Sequence, residues 1–175
     1  MKKIAFFLVV WSMLFLIPRL SPGAEVRTID IFDAVKSGDI EHVKEVLDIE
    51  PSALYFQRNI SFDPGYTPLH LAASRGDYRM VLFILQWGIP ADIRSQDLMT
   101  PLHMAALNWL DDNYVETITA LLKYGADVNA INIYRQTPLD LAIHNGNNHL
   151  VDFLEMRGGK RGKLFIYQEP VDIAP

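Results

Sequence analysis

The sequence predicts an all-α fold, a solenoid of about four helix-turn-helix repeats joined by short hairpin loops. A seven-residue motif occurs three times, beginning at Thr67, Thr100 and Thr137. The first two copies start 33 residues apart and the last two start 37 apart. Apolar residues at i, i+3 and i+4 follow each motif, which is the spacing of one helical face. Units of this kind bury their apolar faces by stacking on one another.

Each copy of the motif begins with residues that favour the start of a helix. The copies read Thr-Pro-Leu-His-Leu-Ala-Ala at 67–73, Thr-Pro-Leu-His-Met-Ala-Ala at 100–106 and Thr-Pro-Leu-Asp-Leu-Ala-Ile at 137–143. Threonine is a good N-cap, and proline at the first helical position loses no hydrogen bond. The small residues that follow let a second helix approach closely. A degenerate copy from Ile31 lacks Thr-Pro and is predicted to cap the N-terminal end.

A second helix is predicted after each motif, ending at a glycine C-cap. Its buried stripe is expected to comprise Val43, Val46 and Leu47; Val81, Ile84 and Leu85; Ile118, Leu121 and Leu122; and Val151 and Leu154. Glu155 takes the last position in the fourth copy, as expected for a terminal repeat whose outer face meets water. Glycines Gly38, Gly76 and Gly146 are predicted at the turns between helices, and Gly88, Gly125 and Gly158 at the helix ends.

These motifs resemble the ankyrin-repeat family, whose signature is T-P-L-H-x-A at a period of 33 residues. The resemblance covers residues 29–160, divided into repeats at about 29–66, 67–99, 100–136 and 137–160. It implies a protein-interaction module without enzymatic activity or cofactor. Gly65, two residues before the first threonine, is replaced by Leu98 and Arg135 in the next repeats. The hairpin tips at those two positions are therefore expected to differ from the usual turn.

Repeat three carries four extra residues between Ala106 and Ile118. We expect them to lengthen the first helix by about one turn. Trp109 and Tyr114 either cover the adjacent helix pair or extend the docking surface.

The polar residues form no recognisable catalytic or metal-binding motif. The resemblance implies that His70 and His103 hydrogen-bond between neighbouring loops. His144 and His149 are five residues apart and do not share one helical face as a metal-binding pair does. No phosphate-binding loop, dinucleotide fingerprint or G-x-S-x-G elbow is present. The sequence therefore predicts neither a catalytic site nor a metal site.

The two ends of the chain fall outside the repeats. Lys2 and Lys3, the apolar run of residues 4–17 and small residues up to Ala24 follow the order of a secretory signal peptide. We predict a signal peptide at 1–23, cleaved near 23/24, with an uncleaved anchor as the alternative. Residues 161–175 are predicted to form a tail. The basic, glycine-rich run 157–163 is interpreted as solvated, or as a weak contact for an acidic lipid or partner.

Composition limits the partners. The net charge is −5, which argues against nucleic-acid binding, and the chain has no cysteine. We expect a monomeric, periplasmic or secreted module that binds a protein and protects or inhibits it. A membrane-tethered scaffold and an enzyme with a site on the concave face are the alternatives. By motif position, the residues expected on that concave face are Tyr66, Ser74, Arg75, Met99, Leu107, Asn108, Tyr134, Gln136, His144 and Asn145.

Overall fold

The computed structural model describes residues 30–57, 65–107 and 114–162. The predicted signal peptide at 1–23 and most of the predicted tail, residues 163–175, lie outside these ranges. All regular elements in the described ranges are helical. They are α1 (Ile31–Ser37), α2 (Ile40–Ile49), a short 3₁₀ helix (Pro51–Tyr55), α3 (Pro68–Ser74), α4 (Tyr78–Gln86), α5 (Pro101–Leu107), α6 (Tyr114–Lys123), α7 (Pro138–His144) and α8 (Asn148–Met156).

The helices stack as the repeat pattern predicts. The first helices of the repeats form one row in which α1 packs on α3, α3 on α5 and α5 on α7. Each also packs on the second helix of its own repeat, and α4 packs against α6 in the next repeat. The all-α solenoid is therefore confirmed.

The core follows the predicted stripes with small differences. Leu69, Leu102 and Leu139 of the first helices are buried, together with the alanines that follow them. The second-helix stripe is also buried, except that Leu122 and Val151 are only half-buried. Met80 and Leu150, which lie one residue before the predicted stripe, are fully buried. The apolar face of these helices is therefore wider than three positions per repeat.

The hairpin tips correct one expectation. Leu98 and Arg135 have φ angles of 59° and 60°, in the same left-handed region as Gly65 at 76°. Each hairpin is closed by a backbone bond across the tip, from Ser95 N to Met99 O at 3.0 Å and from Asn132 N to Gln136 O at 3.1 Å. The prediction of different turns was wrong because these bonds hold the backbone left-handed. That conformation costs a non-glycine residue about 1–2 kcal/mol.

The basic, glycine-rich run is also more ordered than predicted. Lys160 N donates to Asn129 Oδ1 at 2.7 Å, and Gly162 N donates to Asp140 Oδ2 at 2.7 Å. A Cβ atom at Gly162 would lie 2.0 Å from the Arg135 carbonyl oxygen, so this segment presses directly on the last hairpin. Hydrogen bonds therefore hold this segment against repeat four, while Lys160 and Arg161 stay exposed to solvent, as predicted for the run.

The insertion of repeat three falls largely outside the described residues, at 108–113. The described part of α5 has seven residues, the same length as α3 and α7. The expected lengthening of this helix and the role of Trp109 therefore remain predictions. Tyr114 begins α6 and is buried, so its ring covers the core rather than extending an outer surface.

Candidate functional site

Two buried histidines join the hairpins on either side of repeats two and three, which confirms the role implied by the motif. His70 Nε2 lies 3.0 Å from Met99 O, and His103 Nε2 lies 3.1 Å from Gln136 O. In both rings, Nδ1 accepts the backbone N–H of the motif threonine at 3.2 Å. The Nε2 atoms are therefore the protonated nitrogens. These histidines are occupied in holding the hairpins and are not open to a ligand.

Further bonds join the hairpins into one row. Gln57 Nε2 donates to Arg94 O at 3.5 Å, and Arg94 Nη1 donates to Ile131 O at 3.0 Å. Between the last two hairpins, Ile133 N donates to Asp97 O at 3.0 Å. The tips of successive repeats are thus fixed relative to one another before any partner arrives.

Large apolar side chains are exposed on the last two hairpins. Leu98 and Ile131 are each 40% exposed, Ile133 is 50% exposed and Tyr134 is 68% exposed. We call these four residues the hairpin-tip patch. The Ile133–Asp97 backbone bond brings the two hairpins that carry the patch side by side. Exposed apolar side chains grouped in this way are typical of interaction sites.

Three of the residues predicted for the docking face are exposed. Arg75 follows the end of α3, Tyr134 lies in the hairpin-tip patch, and His144 ends α7. Arg75 and His144 hold comparable places at the ends of first helices in repeats two and four.

Five others are half-buried and take part in internal contacts. The Tyr66 ring lies 5.5 Å from the His70 ring between centroids, and the Ser74 hydroxyl donates to Leu71 O at 2.8 Å. Leu107 packs against the core, and its carbonyl accepts Asn145 Nδ2 at 3.3 Å. The side-chain oxygen of Gln136 accepts Asn132 Nδ2 at 3.2 Å. These side chains therefore mainly stabilise the fold and expose only part of their surface to a partner.

Met99 corrects the prediction, since its side chain is only 6% exposed. It belongs to the hydrophobic core, and its carbonyl accepts the His70 bond. Tyr66 and Gln136, which precede the other two motif threonines, are half-buried, whereas the apolar side chain of Met99 packs fully into the core. Asn108, the remaining predicted residue, lies outside the described residues.

Comparison with known proteins decides the family. A family model described as "Ankyrin repeats (3 copies)" matches residues 31–132 and, in a second overlapping match, residues 91–160. The chain belongs to the ankyrin-repeat family. The repeats of this family are protein–protein interaction modules, generally without enzymatic activity.

Relatives share the ankyrin region in otherwise different proteins. A probable serine/threonine-protein kinase of Dictyostelium discoideum is 31% identical over 125 residues, 67% of this chain and 14% of that protein. Alpha-latrotoxin-Lg1a of Latrodectus geometricus is 34% identical over 147 residues, 79% of this chain and 10% of the toxin. BCL-6 corepressor-like protein 1 of Homo sapiens is 41% identical over 78 residues, 45% of this chain and 4% of that protein. The chain thus spans less than a sixth of each.

Sequence reasoning missed most of the hairpin-tip patch. Leu98, Ile131 and Ile133 were not among the predicted ankyrin docking residues, although they are large apolar residues at the tips of predicted hairpins. Loops lie on the surface, so large apolar residues in predicted hairpins could have indicated an exposed docking patch. The motif-based prediction instead selected positions next to the threonines, and several of those support the fold.

The described ankyrin repeats hold no group of three or more His, Cys, Asp or Glu side chains that could bind a metal ion. No helix within the same residues is long and apolar enough to cross a membrane. Burial lowers the pKa of His103, and this histidine is engaged in a structural hydrogen bond between two repeats.

Proposed function

We propose that this ankyrin-repeat chain is a non-enzymatic module that binds a protein partner on its hairpin tips and the exposed ends of its first helices. The observation that carries the proposal is the hairpin-tip patch, which places four large apolar side chains on two hairpins joined by a backbone bond. Covering these side chains would remove apolar area from water and stabilise a complex.

The hairpins favour binding because they are already ordered. Bonds from Arg94 and Ile133 link successive hairpins, so little conformational freedom remains to be lost on docking. Tyr134 is the most exposed member of the patch. Tyrosine buries a large area with only two side-chain torsions, and such residues often dominate binding energy.

The ends of the first helices extend this face. Arg75 and His144 are exposed at the ends of α3 and α7. Polar and charged side chains commonly surround an apolar interface core. We therefore assign them to the rim of the partner-binding face and Tyr134 with Ile133 to its centre.

The test is a set of single alanine variants measured against the partner. A photo-crosslinker at position 134 in the native host would identify the partner by its attachment site. Tyr134→Ala, Ile133→Ala and Arg75→Ala are then compared with Ile49→Ala, a control residue that is 75% exposed at the end of α2. Thermal stability is measured on every variant, so that unfolding is not mistaken for lost contact.

We expect at least one folded hairpin variant to lose about 1–2 kcal/mol of binding free energy or more. The Ile49→Ala variant should bind like the wild type. Unchanged binding in all hairpin variants, together with a loss in Ile49→Ala, would place the interface on the second helices and contradict the proposal.

We further propose that the protein acts outside the cytoplasm, in the periplasm or as a secreted protein. The support is the order of Lys2 and Lys3, the apolar run of residues 4–17 and the small residues up to Ala24. On this proposal the partner is a protein of the same compartment, which the ankyrin module protects or inhibits.

N-terminal sequencing of the protein from the cell envelope tests this second proposal. The mature chain should begin at Ala24 or Glu25. Met1 retained in the membrane fraction would favour the tethered scaffold instead, and recovery of the protein from the cytoplasm alone would contradict export.

A further inference from the structure

A basic cavity lies between the last hairpin and the C-terminal segment. Its volume is about 340 Å³, and its lining includes three cationic side chains, those of Arg135, Lys160 and Arg161. Asn129 and Thr137 add polar groups to the wall. Among the described residues, no carboxylate lines this cavity, although the chain as a whole carries a net charge of −5.

The backbone that carries the cations is held on both sides. Lys160 N donates to Asn129 Oδ1 at 2.7 Å, and Asn129 Nδ2 donates back to Gly158 O at 3.1 Å. On the other side of Arg161, Gly162 N donates to Asp140 Oδ2 at 2.7 Å. The cavity is thus framed by a backbone that hydrogen bonds fix in place.

Two of the three cationic residues, Lys160 and Arg161, are exposed to solvent. Within the described ranges, the side chains of Lys160 and Arg161 form no salt bridge. The neighbouring acid is Asp140, which is buried, and its Oδ2 accepts the N–H groups of Thr137 at 2.8 Å and Gly162 at 2.7 Å. Asp140 therefore brings one negative charge close to the cavity, against the two positive charges of Lys160 and Arg161, and this leaves an excess of cationic donors for a ligand.

The cavity is continuous with the hairpin-tip patch. Ile131 belongs to the patch and also lines the cavity. Arg135 follows Tyr134 directly in the hairpin, so one short stretch of backbone carries both an apolar and a cationic contact. A ligand that covers both must place an acidic group and a large apolar group close together.

We infer that the partner docks through an extended acidic peptide segment, with an aspartate or glutamate carboxylate in the basic cavity and a neighbouring apolar side chain on the hairpin-tip patch. This inference rests on the proposed function and specifies the partner's chemistry. Arginine binds a carboxylate through paired, charge-assisted hydrogen bonds, and lysine adds a point charge. The cationic cluster also speeds encounter with an acidic partner.

Selection of peptides from a random display library on the immobilised full chain tests the inference. We expect the selected peptides to be enriched in Asp and Glu next to an aromatic or aliphatic residue. The double variant Lys160→Gln/Arg161→Gln should bind them about tenfold more weakly, as expected when charged contacts at an interface are removed. Replacing the peptide's acid by its amide should weaken binding similarly, and binding should fall with added salt.

The matched control is Lys36→Gln/Arg79→Gln, which removes the same charge from exposed positions in the first two repeats. It should bind the peptides like the wild type, since the effect belongs to the cavity and not to the net charge. Equal weakening by both double variants would overturn the inference.

The remaining outcomes separate the inference from the proposed function. Selected peptides that require Tyr134 but are not acidic would overturn the inference and leave the protein-binding function standing. Peptides that bind Tyr134→Ala and Ile133→Ala like the wild type would overturn the proposed function itself. Phosphatidylserine-containing vesicles that bind the wild type but not Lys160→Gln/Arg161→Gln, without selection of acidic peptides, would replace the peptide ligand by an anionic membrane.

Discussion

The fourth residue of each motif matches the hydrogen-bonding group that lies opposite its side chain. In repeats two and three that group is a backbone carbonyl, and a histidine Nε2–H lies 3.0–3.1 Å from it. In repeat four it is the Gly162 N–H, and Asp140 accepts its hydrogen bond at 2.7 Å. Donor and acceptor have exchanged sides, which explains why aspartate replaces histidine in the last repeat.

Restoring the motif in repeat four should therefore destabilise the protein. Asp140 Oδ2 accepts both Thr137 N–H and Gly162 N–H. In Asp140→His, a ring nitrogen with one lone pair would accept Thr137 N–H and leave Gly162 N–H without its acceptor. We expect a loss of about 1–3 kcal/mol in the free energy of unfolding, the cost of an unpaired buried polar group. Urea unfolding measures this loss. A midpoint equal to or above that of the wild type would contradict the assignment of donor and acceptor.

His103 gives the stability a pH dependence. Burial lowers its pKa from the ordinary value of 6.5, while its bond to Gln136 O and the nearby Asp97 oppose the shift and Arg94 adds to it. Below about pH 6.5 the unfolded chain binds a proton that the folded chain resists. The neutral ring therefore contributes fully to the free energy of unfolding above this pH, and this contribution is lost as the pH falls.

The corresponding experiment compares urea unfolding between pH 7.5 and pH 5 for the wild type and two variants. His103→Gln should be less stable than the wild type at pH 7.5, and its stability should fall less steeply as the pH drops. His149→Gln, at an exposed position early in α8, should keep the wild-type slope. A wild-type slope in His103→Gln would show that other groups cause the acid sensitivity.

At the scale of the element, the second helices owe their stability to one buried stripe. Leu121 of α6 is fully buried in a repeat that packs against neighbours on both sides. We expect Leu121→Ala to lower the free energy of unfolding by roughly 2–5 kcal/mol, because truncation leaves a cavity that the packed row cannot fill. Glu116→Ala, exposed on the same helix, is the control and should change little. Equal denaturant midpoints for both variants would contradict the helix phase.

The same helix contains a polar group at an apolar position. Thr117 is fully buried, and its hydroxyl has no hydrogen-bond partner within the described structure. Met80 and Leu150 are the buried residues at the corresponding position in repeats two and four. Thr117→Val keeps the shape and removes the hydroxyl, so we expect a gain of about 1 kcal/mol. Differential scanning calorimetry should show a higher melting temperature, and a lower one would mean that the hydroxyl is satisfied in solution.

At the scale of the whole molecule, stability should vary along the stack. Helices α3–α6 belong to repeats with a neighbour on each side, whereas α1, α2, α7 and α8 belong to the terminal repeats. The stability of a solenoid is approximately the sum of repeat and interface contributions, so terminal repeats open more readily. Hydrogen exchange followed by mass spectrometry should show slower exchange in α3–α6. Uniform protection in all eight helices would indicate a single all-or-none unit instead.

Much of this architecture could be predicted from local signals. The Thr-Pro starts, the i, i+3, i+4 stripes and the glycines predicted the helices and their buried faces, because capping and periodicity act within a few residues. The residues of the candidate site were harder to predict from capping and periodicity. Arg75, Tyr134 and His144 were predicted on the exposed face and are exposed, but Met99 is buried and three members of the hairpin-tip patch were missed.

The sequence by itself determined the repeat, the helix boundaries and the stacked core, since each depends on residues a few positions apart or one period apart. Only the tertiary structure decided the left-handed tips at Leu98 and Arg135, the inward side chain of Met99 and the docking of Gly162 against Asp140. These features depend on contacts that form only in the folded chain, namely a bond across each hairpin tip, burial in the stacked core and a bond between the C-terminal segment and repeat four. They are properties of the folded solenoid, because the seven-residue motifs contain at most one of the groups that meet at each contact.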